Sequence, residues 1–129
     1  MRLRTALLAT ALAAALAGFA APAAAQAIMT REIPNAGGLQ MTEVKVTLAP
    51  GQIGHPHHHG GFLVAYVLKG TVVSQVEGEP EHTWHVGDSW IENPGAHHVV
   101  SRNGSATEPA EFLVVFVAPK GTVLTTPDP

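Results

Sequence analysis

Period-two alternation, broken at short intervals by glycine and proline, constrains this chain more than any other feature. From Leu39 to Leu48, Val44, Val46 and Leu48 fall on one face and Glu43, Lys45 and Thr47 on the other, the pattern of a half-buried strand. Ala49-Pro50-Gly51 stops it. Further strands are predicted over Phe62–Leu68, Thr71–Glu77, His82–Val86, Ser89–Glu92, His97–Arg102 and Glu111–Val117, with turn signals such as Lys69-Gly70, Gly87-Asp88 and Asn93-Pro94-Gly95 between them. Phe62–Leu68 is apolar without interruption, which predicts a strand covered on both faces. Prolines 50, 80, 94, 109 and 119 fall outside strand interiors, where a missing N–H breaks no ladder. Seven or eight short strands at this spacing predict an all-β sandwich or barrel. Ile28 to Gly38 reads as an extended arm, added as an edge strand or left loose.

The N-terminus obeys different rules. Met1-Arg2-Leu3-Arg4 is a basic start, Thr5 to Phe19 an Ala/Leu run, and Ala25-Gln26-Ala27 a small-x-small signature, the layout of a secretory signal peptide. Cleavage is expected after Ala27, with residues 28–129 forming a single mature domain. An uncleaved membrane anchor is the alternative, and Pro22 with the alanine-rich, leucine-poor end argues against it. The chain has no cysteine, so a mature domain in the periplasm or medium has to depend on burial and strand pairing rather than disulfides. Residues 28–129 carry five basic side chains against ten acidic ones, a net of −5. No basic patch exists to take phosphate, which excludes nucleic acid and, after signal removal, an anionic membrane surface as partners.

Against this background His55-Pro56-His57-His58-His59 puts four histidines within five residues, directly before the apolar strand. On an extended chain His55, His57 and His59 project to one side and His58 to the other, so His57 and His59 make a chelating pair. Neutral imidazole is a common ligand for transition metals. A third ligand is expected from the second cluster, Pro94-Gly95-Ala96-His97-His98. His98 is the first choice and His97 the competitor, because strand parity alone does not separate them. A solvated His-rich loop is the bland alternative.

The two clusters resemble the two motifs of the cupin superfamily. Gly51, then His57-x-His59, then Gly70 looks like the first; Gly87, then Pro94-x-x-x-His98, looks like the second, with the similarity running from Gln40 to about Lys120. The resemblance implies a jelly-roll β-barrel (a double-stranded β-helix), a divalent metal (Fe, Mn, Ni, Cu or Zn) at its mouth held by His57, His59 and His98, a small-molecule substrate or ligand, and frequently a homodimer. The family's first motif carries a glutamate ligand after the paired histidines, and that position here is Leu63. Asn103 lies one residue beyond its expected place, a minor departure.

Losing the carboxylate raises the net charge at a divalent ion by one and opens a coordination position. Three histidines with open positions resemble the thiol and diketone-cleaving dioxygenases among cupins, and equally suit a Zn arrangement that ionises bound water. Glu92, before the Asn-Pro-Gly turn, and Gln75 are the polar candidates for the missing ligand or for acid–base work. Trp84, Trp90 and Phe112 read as core more readily than as cavity wall, His82 and His85 as surface, and Tyr66 as facing away from His57. Imidazole must be neutral to ligate, so metal affinity is expected to fall as pH drops through ~6.5. Two functions of different class follow: a metal-dependent oxygenase or isomerase/lyase, and a non-catalytic module that binds metal or a small ligand. A purely structural β-domain leaves both His clusters unexplained.

Overall fold

The computed structural model describes residues 23–129. Most of the expected signal segment lies outside the described residues. Ten strands form, and no helix is present among the described residues: β1 (Ala24–Glu32), β2 (Leu39–Leu48), β3 (His57–His59), β4 (Phe62–Lys69), β5 (Thr71–Val76), β6 (His82–His85), β7 (Ser89–Glu92), β8 (His97–Asn103), β9 (Ala110–Pro119) and β10 (Thr125–Pro127). They make two five-stranded antiparallel sheets, ordered β1-β2-β9-β4-β7 and β10-β3-β8-β5-β6. This is the all-β jelly roll that the strand spacing and the resemblance predict.

Inward side chains from both sheets fill the barrel. Leu48, Leu63, Ala65, Val67, Val72, Phe112, Val114 and Phe116 are buried together, and each of the larger ones contributes ~1.5–3 kcal/mol on burial. Asn103 holds the loops below: its amide donates to the carbonyls of Leu48, Ala49 and Glu108, and its Oδ1 accepts from Ser105 N–H. Gly70 closes β4 at φ 71°, where a Cβ would press on the Pro109 carbonyl at 2.5 Å.

Three expectations change. β4 is covered on one face only: Leu63, Ala65 and Val67 are buried, whereas Val64, Tyr66 and Leu68 are exposed, beside the exposed Ile91 of β7. A continuous apolar run looks the same whether its outer face meets protein or solvent. The extended arm is an edge strand, as one of its two expected fates required, but it begins upstream of the expected cleavage point: Ala24 to Ala27 pair with Thr47 to Val44. At the other end, β10 was not predicted from the sequence. It pairs with β3 through Thr125–His59, Thr126–His58 and Pro127–His57, and Gly60 makes room for it, since any Cβ there would collide with the Val123 carbonyl oxygen.

Candidate metal centre

Strand register assembles the site. β3 and β8 are antiparallel with His57 directly opposite His98 and His58 opposite His97. Opposed residues share a face, so His57, His59 and His98 turn into the barrel while His58 and His97 turn out. One ring nitrogen from each of the three inner histidines lies within 4.8 Å of the other two.

Two of these rings are oriented by carbonyl oxygens, which can only accept. His57 Nδ1 donates to the His55 carbonyl at 2.8 Å, and His59 Nδ1 to the Leu124 carbonyl at 3.3 Å, with Thr125 Oγ1 at 3.4 Å. Each Nε2 therefore keeps its lone pair, and the two Nε2 atoms face one another at 3.1 Å. Such backbone anchoring fixes the tautomer a metal ligand needs. His98 is 4% exposed, and neither of its ring nitrogens has a hydrogen-bond partner among the described residues.

A buried carboxylate stands opposite position 63 on the neighbouring strand. Leu63 of β4 pairs with Glu92 of β7. Glu92 is 4% exposed. Its Oε1 accepts from Trp90 Nε1 at 3.0 Å and lies 3.4 Å from His98 Nδ1; its Oε2 lies 3.6 Å from His59 Nε2 and has no hydrogen bond. A buried carboxylate needs a cation or a full set of donors. His98, buried without a hydrogen-bond partner, and the unpaired Glu92 Oε2 beside His59 Nε2 suit a borderline divalent ion, and the residues fit the metal that the fold implies.

Burial in this spot pulls the His59 and His98 pKa values from 6.5 down to about 4; for His59 the Glu92 carboxylate works against burial, and the neighbouring His57 depresses both. Both rings are thus held neutral.

The centre opens onto a cavity of about 210 Å³ walled by Val44, Val46, Leu63, Trp90, Phe112 and Phe116. Trp90 and Phe112 are thus core and cavity wall at once. Trp84 is partly buried, stacks on Trp90 at 5.2 Å and donates to Ser74 Oγ. Gln75, the other polar candidate, is not at the centre: its amide donates to the Glu79 carbonyl over a separate surface depression. His82, His85 and Tyr66 are exposed. Ala23 and Ala25 also line the cavity. Asp128, which no sequence reading singled out, faces the outward pair His58 and His97.

Comparison with known families settles the lineage. Residues 44–116 of the 129 match the cupin domain family. The chain belongs to the cupins. Among solved cupin-fold structures, TT1209 from Thermus thermophilus is 34% identical, with a TM-score of 0.58 over 76% of this chain and 84% of that one. A conserved double-stranded β-helix protein from Klebsiella pneumoniae is 24% identical, with a TM-score of 0.61 over 81% of this chain and 85% of that one. The DMSP lyase DddQ from Ruegeria pomeroyi DSS-3 is 22% identical, with a TM-score of 0.65 over 84% of this cupin, which spans only 54% of the lyase. At those identities the last two show a shared fold. A comparison with curated proteins gave no match.

Proposed function

We propose that this cupin is an exported metal-dependent enzyme acting on a small molecule, an oxygenase or an isomerase/lyase, with His57, His59, His98 and Glu92 holding one divalent ion of Fe, Mn, Ni, Cu or Zn. The observation that carries the reading is Glu92: a buried carboxylate with one oxygen held by Trp90 and the other unpaired beside His59. Four protein ligands would leave such an ion room to take substrate. The ion would polarise a bound oxygen atom or lower the pKa of bound water.

The chain's own residues supply the rest. Backbone carbonyls orient His57 and His59, and the Trp90 indole holds Glu92 Oε1. The apolar wall excludes bulk water. At about 210 Å³ the cavity is smaller than the ~300–1,000 Å³ of drug-sized sites, so the substrate is a compact molecule with a polar end for the metal. DddQ is a DMSP lyase, and another cupin-fold neighbour is an oxalate oxidase seen with glycolate, 21% identical with a TM-score of 0.56; both act on small substrates of this kind. The near-complete burial of His98 and Glu92 favours the second reading, a non-catalytic module that holds a metal or small ligand.

Metal analysis of protein purified from the periplasm, with turnover assays on thiols, diketones, phenols, a dimethylsulfonio acid and oxalate, separates the two. Turnover supports the enzyme; stoichiometric metal without turnover supports the binder; absence of metal refutes the enzyme and leaves only a small-ligand binder. Mass spectrometry of the same protein tests cleavage after Ala27, which would shorten β1 to Ile28–Glu32 and remove Ala23 and Ala25 from the cavity wall. The exposed apolar residues Val64, Tyr66, Leu68 and Ile91 support a homodimer through this sheet face.

A further inference from the structure

β3 and β8 carry histidines on both faces, and the outward set has its own carboxylates. His58 and His97 are cross-strand partners whose rings stack at 4.1 Å with an interplanar angle of 4°. Asp128 closes the group from the C-terminal segment: Oδ1 lies 3.3 Å from His58 Nδ1 and Oδ2 lies 2.8 Å from His97 Nε2. Its backbone N–H donates to the Pro56 carbonyl at 3.0 Å, so the carboxylate is presented from an anchored residue. Behind the pair, Glu77 Oε2 lies 3.3 Å from His97 Nδ1.

We infer that His58, His97 and Asp128 form a second site, on the outer face of the same two strands, for a borderline divalent ion such as Zn²⁺. Without an ion His97 donates from Nε2 to Asp128 Oδ2 and from Nδ1 to Glu77; an ion would replace the Nε2 proton while Glu77 keeps Nδ1–H, which is the carboxylate–histidine–metal arrangement. One ligand atom from each of the three residues lies within 4.8 Å of the others. Two ligands on a tetrahedral ion with bonds of ~2.0–2.1 Å stand about 3.3 Å apart, and His58 Nδ1 already keeps that distance from Asp128. Parallel rings cannot both aim lone pairs at one ion, so His58 tilts out of the stack on binding. Its side chain is 51% exposed and is free to do so.

The ion would clamp the three-residue β10 to the barrel. Leu124, at the entry to β10, gives its carbonyl to His59 Nδ1, and Thr125 lies against the same nitrogen. An outer ion therefore fixes the segment that orients an inner ligand.

Calorimetric titration of the metal-free protein with Zn²⁺ at neutral pH tests this with four proteins: wild type, His57→Ala for the inner centre, and Asp128→Asn and His58→Ala for the outer one. Two equivalents are expected for wild type and one for each variant. Hydrogen exchange from Leu124 to Asp128 should slow when Zn²⁺ is added to His57→Ala and stay unchanged when Asp128→Asn is combined with that variant. A single wild-type equivalent that is lost in His57→Ala and kept in both outer variants overturns the inference and leaves the inner centre standing. A single equivalent with the opposite pattern supports the outer site and refutes the inner one; no binding at all refutes both.

Discussion

Leu63 and Glu92 are direct cross-strand partners in the β4–β7 pair, and both line the cavity onto which the three histidines open. On the function proposed above, Glu92 takes the part of the carboxylate that the family's first motif carries on the strand after its histidines. Exchanging the two residues tests that equivalence. Glu92→Leu should lower inner-site metal affinity by at least ~10-fold, the smallest loss common even for residues that merely support a ligand. Leu63→Glu in that background should restore most of it. Leu63→Glu alone crowds two buried carboxylates and should destabilise the metal-free protein while tightening metal. Chelator competition and denaturant unfolding of the four proteins read both effects; a double variant no better than Glu92→Leu would mean that Leu63 does not face the ion.

The pH dependence of the metal-free protein follows from His59 and His98. Their folded pKa values of about 4 lie below the 6.5 of the free side chain. Between those values the unfolded chain binds more protons than the folded one. Stability is therefore fully present above pH 6.5 and is lost as pH falls toward 4, by on the order of 3 kcal/mol for one such ring. Urea unfolding of the metal-free protein at pH 4, 5, 6 and 7 should show this loss. Burial depresses two of the three ligands, so the fall in metal affinity expected as pH drops through ~6.5 should continue toward the lower values of His59 and His98.

Trp90→Phe keeps an aromatic ring but deletes the five-membered ring with the N–H that holds Glu92, so it removes packing volume as well as the donor. Leaving a buried carboxylate oxygen without its donor should cost ~1–3 kcal/mol in the metal-free state. Bound metal should recover part of that by engaging the carboxylate. Thermal unfolding with and without metal checks it, through a larger metal-induced rise in Tm for the variant than for wild type.

Ile91 is 62% exposed beside Val64 and Tyr66 on the outer face of β7 and β4. If this face joins two copies, sedimentation should give twice the chain mass for wild type and a monomer for Ile91→Lys with Tyr66→Lys. A monomeric wild type would refute the dimer.

The sequence by itself determined the local quantities. Alternation at Val44, Val46 and Leu48, with the glycine and proline stops between strands, fixed an all-β chain and most strand limits, because side-chain facing in an extended segment depends only on position parity. The same parity put His57 and His59 on one face. Pairing across strands was beyond its reach. His98 is separated from His97 by the β3–β8 register, Glu92 is brought to the centre by the β4–β7 register, and Gln75 is turned away by its bond to Glu79. The exposed side of β4 was hidden because an apolar residue reads alike against solvent or protein. β10, three residues including Pro127, carries too little pattern to be read locally; it exists because β3 offers an edge and Gly60 leaves room. Which residues share a face is written along the chain, but which faces meet is decided by long-range hydrogen-bond register, and the metal centre depends on that register.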